Sequence, residues 1–339
     1  VLIYPPLFQA PLLDYTHYCF RMLVRQLGGV GLTVTELVHA RGLIEQWRRE
    51  KVLPQQLWGV ELEPPPVAVQ LWDSEPRWIV EAVRLVLDQV RPTVIDLNFG
   101  CPSYQVSCRS GGGAGLLKQP WLIGQLVEAA VQAAGQVPVT VKIRLGWDPL
   151  RPVAGQVARI AEEAGASAVA VHGRYATQKM SGRADWEAIA AVRSCLRSIP
   201  LIGNGDIASA ESAVEALARW PVDGVMIGRA GVARPWIFRE ILALLSGQPK
   251  PPAPTPLEEQ HILLGHLDRL REQLSPHRAL ILGQKFACRF GAGRRGAGQY
   301  RLAVSQCRSI DQLRQVVERL FPMEVPRGPR RSVADQPVS

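Results

Sequence analysis

The chain has 339 residues, 47% hydrophobic and 20% charged, with a formal net charge of +9. That length supports one large domain, or one large and one small, with a core that needs no disulfide or metal staple. Its 30 glycines and 27 prolines fall short of collagen-like or disordered composition, and no run reaches the roughly 18 apolar residues of a membrane span. The apolar start, VLIYPPLFQAPLLDY, lacks a basic leader and is broken by prolines, so it reads as a first strand and loop, not a signal peptide.

Eight short β-branched, apolar runs follow one another, each leading into a segment of helical period. They are Leu7–Ala10, Leu32–Val38, Val67–Trp72, Val94–Asn98, Val139–Arg144, Ala168–His172, Pro200–Gly203 and Gly224–Ile227. Near-continuous apolar strands alternating with helices predict a parallel sheet buried on both faces, and eight units in residues 1–247 predict an α/β fold, a (β/α)8 TIM barrel. An open doubly wound sheet is the competitor, but no GxGxxG follows the first strand. A helix is expected over Trp236–Leu245. Residues 248–256, with five prolines, form a stiff linker. Residues 257–321 read as a small helical domain of three helices, 257–274, 276–290 and 309–321, and residues 322–339 as a disordered tail. Residues 256–339 carry net +6 of the +9, which points to an acidic partner, with nucleic acid the first candidate.

A barrel collects chemistry where its strands end. Gln70, Asn98, Lys142, Arg144, His172, Asn204, Gly228 and Arg229 all stand near strand ends. After Asn98 comes Gly-Cys-Pro, in which Gly100 is expected to permit a sharp turn and Pro102 to fix the chain beyond Cys101. A thiol held there can serve as proton donor or nucleophile. Lys142 and Arg144 alternate with Ile143 and so share the inner face of their strand. His172 ends the next strand beside them, and a long loop with Arg174, Gln178 and Arg183 follows. The turns Gly203-Asn204-Gly205-Asp206 and Gly228-Arg229 suit a phosphate, because glycines let backbone N–H groups approach and arginine adds a charge-assisted bond. Together these features fit a phosphorylated planar cofactor. FMN fits, with Lys142 beside the N1/C2=O edge of its ring and Gln70 or Asn98 on another edge, although composition alone does not separate a flavin from a phosphorylated sugar.

Six scattered cysteines without a CxxC pair suit a reducing cytoplasm. Cys101 and Cys108 match no common zinc spacing, and His261 and His266 lie about 140° apart around a helix, so no metal site is expected.

The motifs DLNFGCPS, SGGGAGLL, VTVKIRLGWD, VHGRYATQKMSGRADW, IPLIGNGDI and DGVMIGRAGVARPWIFREI resemble the tRNA-dihydrouridine synthase family in order and spacing. The resemblance implies an FMN-bearing barrel, a helical C-terminal domain that grips tRNA, and NADPH-dependent reduction of uridine to 5,6-dihydrouridine. It makes Cys101 the acid at uracil C5, with Asn98 and Arg144 on the uracil edge. It places Gln70, Lys142, His172, Asn204, Gly205, Asp206, Gly228 and Arg229 at the flavin, with Pro11 and Leu12 passing under the ring. Met180 stands where the family has a tyrosine, so no hydroxyl is available there. Lys285, Arg289, Arg294, Arg295 and Arg301 are expected to hold tRNA phosphates, and a monomer is expected.

Overall fold

Side chains alternate across each strand, and in this protein the alternation sorts an apolar outer set from a mixed inner one. Ile95, Leu97, Val139, Val141 and Ile143 join the layer between strands and helices, whereas Asp96, Asn98, Lys142 and Arg144 take the opposite face. A computed structural model describes residues 2–321. Its strands are β1 (Leu7–Gln9), β2 (Thr33–Val34), β3 (Val38–His39), β4 (Val67–Trp72), β5 (Val94–Phe99), β6 (Val139–Arg144), β7 (Ala168–His172), β8 (Leu201–Asn204) and β9 (Gly224–Ile227). All pairs are parallel, in the order β1-β9-β8-β7-β6-β5-β4-β2, and a parallel bridge between Phe8 and Leu32 closes the ring. The predicted (β/α)8 barrel is therefore the observed architecture.

The second predicted strand, Leu32–Val38, is instead two short pieces, β2 and β3, both against β4. Between them the Thr35 hydroxyl accepts the N–H of Gln70 (3.0 Å) and donates to the Glu36 carbonyl (2.9 Å), so a side chain interrupts the backbone ladder. Two small inner clusters, one of Ala10, Ala170, Ile202 and Met226 and one of Leu32, Val34, Ala68 and Val94, fill part of the barrel.

Outside run α1 (Tyr18–Leu27), α2 (Ala40–Glu50), α3 (Pro76–Gln89), α4 (Pro120–Ala134), α5 (Ala154–Glu163), α6 (Trp186–Val192) and α7 (Ala210–Arg219). The single helix expected after the last strand is preceded by a short one. The chain forms α8 (Arg229–Ala233), then α9 (Ile237–Leu245), because Pro235 bars its predecessor from the helical region.

Among the described residues four further helices follow the linker, α10 (Pro256–Gln273), α11 (Pro276–Phe290), α12 (Ala297–Gln306) and α13 (Ile310–Leu320). The sequence reading missed α12, whose start is hidden in the glycine- and arginine-rich GAGRRGAG. Thr255 and Glu258 form a reciprocal capping box at the start of α10. Phe286 of α11 meets Phe20 of α1 with centroids 5.9 Å apart, and Phe290 meets Trp236 at 5.8 Å, so bundle and barrel share one core. The expectation for residues 322–339 lies outside the described residues. Among the described residues no helix is long and apolar enough to cross a membrane.

At the N-terminal end of the barrel, a wholly buried Glu63 binds Arg21 Nε at 2.7 Å and Arg25 Nε at 2.9 Å. Arg25 also donates to the Thr33 hydroxyl, so α1 is pinned to the chain leading into β4.

Candidate active site

At the C-terminal end of the strands opens a cavity of about 520 Å3. Pro11, Leu12, Asn98, Cys101, Lys142, Arg144, His172, Asn204, Gly205, Asp206, Gly228 and Arg229 all line it, drawn from six strand ends. Sequence reasoning therefore brought twelve of its thirteen site residues to one place. Gln70 is the exception. Strand β4 continues to Trp72, which leaves Gln70 fully buried inside the barrel, outside the cavity lining.

The Cys101 turn is held mainly by side chains. Asn98 Oδ1 accepts the N–H groups of Gly100 (3.1 Å) and Cys101 (2.9 Å), and its Nδ2 donates to Gln70 Oε1 (2.7 Å). Gly100 does not have a left-handed φ, and a Cβ there would make only ordinary contacts. The glycine this turn needs is Gly113, at φ +49°, where a Cβ would stand 2.8 Å from the Cys101 carbonyl oxygen. That carbonyl accepts the Ala114 N–H at 3.0 Å and the Ser107 hydroxyl. Tyr104, close by at the mouth, is 73% exposed.

On the next strand Lys142 Nζ donates to Asn204 Oδ1 (3.0 Å), whose amide donates to the Met226 carbonyl (2.8 Å). Burial, reinforced by the Arg144 charge, pulls the Lys142 ammonium down to about 8. Arg144 clamps two loops, with Nε on the Gly100 carbonyl (2.8 Å) and Nη1 on the carbonyls of Tyr175 (3.0 Å) and Lys179 (2.9 Å).

Burial and four surrounding cations hold His172 well below the usual imidazole range, so the ring is neutral. Its Nε2 faces Arg174 Nη1 at 3.2 Å. An arginine only donates, so Nε2 is the acceptor and Nδ1 carries the proton. Arg174, fully buried, was placed only in the following loop by the sequence reading. It also donates to both Asp206 carboxylate oxygens at 2.7 Å and to the carbonyls of Ser181 and Gly182. Its two-residue offset from His172 was the signal that it shares the inner face. Arg229 Nη2 meets Asp206 Oδ1 at 3.1 Å. Asp206 thus anchors two arginines at the cavity wall. Gly205 has φ +136°, and a Cβ there would stand 2.5 Å from the Ala184 Cβ, so the turn after β8 admits no side chain.

Of the bundle cations singled out by sequence, Arg295 and Arg301 are exposed. Arg294 is not an open contact, because it pairs with Glu259 and lies over the Phe321 ring at 4.8 Å. Lys285 and Arg278 bind the Asp14 carboxylate in the loop after β1, joining α11 to the segment that carries Pro11 and Leu12. All six cysteines are free, and among the described residues no His/Cys/Asp/Glu cluster could hold a metal.

The family model for dihydrouridine synthases (Dus) matches residues 8–323. The chain is 36% identical over 323 residues to a probable tRNA-dihydrouridine synthase of Mycobacterium tuberculosis (strain ATCC 25618 / H37Rv), covering 93% of this chain and 82% of that one. It is 36% identical over 316 residues to tRNA-dihydrouridine synthase B of Pseudomonas aeruginosa, covering 93% and 92%. Among solved structures, histamine dehydrogenase from Rhizobium sp. 4-9 shares the barrel with a TM-score of 0.51 at 13% identity, over 79% of this chain and 50% of that one.

Proposed function

The chain is an enzyme of the dihydrouridine synthase family, and from that premise we propose that it reduces the C5=C6 bond of uridines in tRNA to 5,6-dihydrouridine, with FMN bound and NADPH as reductant. The observation that carries this reading is a lone thiol, Cys101, held on a braced turn at the rim of a cavity whose walls bear Lys142, Arg144, His172 and Arg229.

The residues present fit an anionic flavin. The cavity lies within the roughly 300–1,000 Å3 of small-molecule sites. Among the described residues the only carboxylate lining it, Asp206, is already matched by Arg174 and Arg229, so an anion beside it meets net positive charge. Pro11 and Leu12 would floor the ring, while Lys142, His172 and Asn204 would meet its polar edge. The Gly205–Asp206 and Gly228–Arg229 turns would hold the phosphate. When bound, the flavin supplies the hydride that adds to uracil C6.

Hydride addition places negative charge on the O4–C5 enolate of uracil. Cys101 donates the proton that C5 then takes, and Asn98 and Arg144 hold the base edge. Arg144 is suited to this because its clamp on two loops fixes its plane. A uridine within folded tRNA must leave its stack to reach the cavity, at a cost of a few kcal/mol. The basic bundle supplies phosphate contacts that offset that cost. The deciding experiment is purification and assay. The protein is expected to absorb near about 450 nm and to oxidise NADPH when given unmodified tRNA, but not free uridine. Colourless protein, or equal turnover of free uridine, would contradict the proposal.

Lys142 gives a pH test. Its free-state value of about 8 makes it cationic below that pH and neutral above it. FMN affinity of the stripped protein should therefore fall about tenfold between pH 7 and 9, while Lys142→Met binds weakly and without that step. Fluorescence titration reads both; the same step in Lys142→Met would remove the lysine from the site.

A further inference from the structure

A buried carboxylate lies behind the wall of the cavity without lining it. Asp96 of β5 is 4% exposed and points into the barrel. Its Oδ1 accepts from the Thr140 hydroxyl of β6 (2.6 Å), and its Oδ2 accepts from Gln70 Nε2 of β4 (2.6 Å). Gln70 Oε1 then accepts from Asn98 Nδ2, and Asn98 Oδ1 accepts from the backbone N–H groups of Gly100 and Cys101. The chain has five links; Asp96, Gln70 and Asn98 are buried, while its ends, at Thr140 and at the Cys101 turn, are partly exposed.

We propose that Asp96 is a positioning residue for Cys101, setting through Gln70 and Asn98 the polarity of the hydrogen bonds that hold the thiol's turn. The argument is one of donors and acceptors. Each amide can be turned end for end, so neither Gln70 nor Asn98 alone dictates which atom faces Cys101. The backbone N–H groups at one end only donate. The carboxyl at the other, pushed up to about 6 by burial, is ionised at neutral pH and there only accepts. Between these ends a single arrangement satisfies every atom. Without an acceptor at position 96, the Gln70 NH2 is left buried with no partner. Turning Gln70 to relieve that would set its NH2 against Asn98 Nδ2. Turning Asn98 in response would set an NH2 against the Cys101 N–H. The defect thus travels to the turn, although Asp96 touches neither cavity nor thiol. Lys142 is the charged group that acts on Asp96, so the rival explanation is that the carboxylate serves by its charge.

The two explanations separate by substitution. Asp96→Asn retains an oxygen for Gln70 and offers its NH2 to the Thr140 hydroxyl, keeping the polarity while losing the charge. Asp96→Leu and Gln70→Met break the chain at different links. Cys101 reactivity is measured in flavin-free protein by timed iodoacetamide labelling and peptide mass spectrometry, and kcat and KM for tRNA in the holoenzyme. Asp96→Leu and Gln70→Met should label Cys101 several times faster and lose about ten- to a hundredfold in kcat with KM little changed. Asp96→Asn should stay within about twofold of the unsubstituted protein on both readouts. The proposal is overturned if Asp96→Asn falls as far as Asp96→Leu, or if Gln70→Met labels like the unsubstituted protein. Should Asp96→Leu not fold, Gln70→Met and Asp96→Asn decide. The kinetic part rests on Cys101 being the acid. Cys101→Ala run alongside tests that separately, and the labelling rates stand whichever way it falls.

Discussion

Cys101→Ala is expected to lower dihydrouridine formation by about 100- to 10,000-fold, the range for loss of a positioned general acid. Flavin reduction by NADPH should be unchanged, because that half of the cycle needs no proton at uracil C5. The loss should therefore appear in single-turnover mixing of reduced enzyme with unmodified tRNA, read as dihydrouridine by nucleoside mass spectrometry. Cys108→Ala is the control. Cys108 is exposed and does not line the cavity, so its removal should leave the rate within about twofold. A matching loss in both variants would mean that the loop, and not the thiol, was disturbed.

Glu63→Ala should have the largest effect on stability. Both Arg21 and Glu63 have fully buried side chains, so their attraction is weakly screened and each is costly without the other. Among the described residues the Arg21 guanidinium keeps the Thr16 carbonyl as its partner once the carboxylate is gone, Arg25 keeps the Thr33 hydroxyl and the Pro66 carbonyl, and the Thr33 hydroxyl loses its acceptor. Removing one partner of such a pair costs about 3–5 kcal/mol, which for a chain of this size lowers the melting temperature by roughly 4–8 °C. Arg41→Ala, which breaks an exposed pair with Glu45, should shift it by less than about 1 °C. Thermal melts of the two variants make the comparison, and equal shifts would contradict the assigned role of burial.

The barrel was legible in the sequence because its strands are buried on both sides. Val67–Trp72, Val139–Arg144, Ala168–His172 and Gly224–Ile227 were read to the residue. The interruption at Thr35 was not legible, since it depends on a threonine hydroxyl reaching the neighbouring strand. Helix α12 escaped because glycines and arginines at its start conceal the apolar period, although Tyr300 and Val304 are buried. At the site, residue type and strand end together identified the cavity lining. What they could not supply was partnership. Asp206, read as a ligand-facing residue, lines the cavity and also anchors Arg174 and Arg229; Arg294 read as a tRNA contact and is matched to Glu259. Gln70 sits two residues inside the strand end, one step behind Asn98 in the chain to Asp96. Such pairings join positions far apart in the chain, so no local pattern encodes them.

The central claim is spatial, that a uracil turned out of its stack lies between the Cys101 thiol and the flavin ring. A crystal structure of the chain with FMN and a short uridine-containing RNA measures this directly. Cys101 Sγ should lie about 3.5 Å from uracil C5, with the flavin against C6. A thiol on the far side of the base from C5, or a cavity holding FMN with no room for the pyrimidine beside Cys101, would contradict the account.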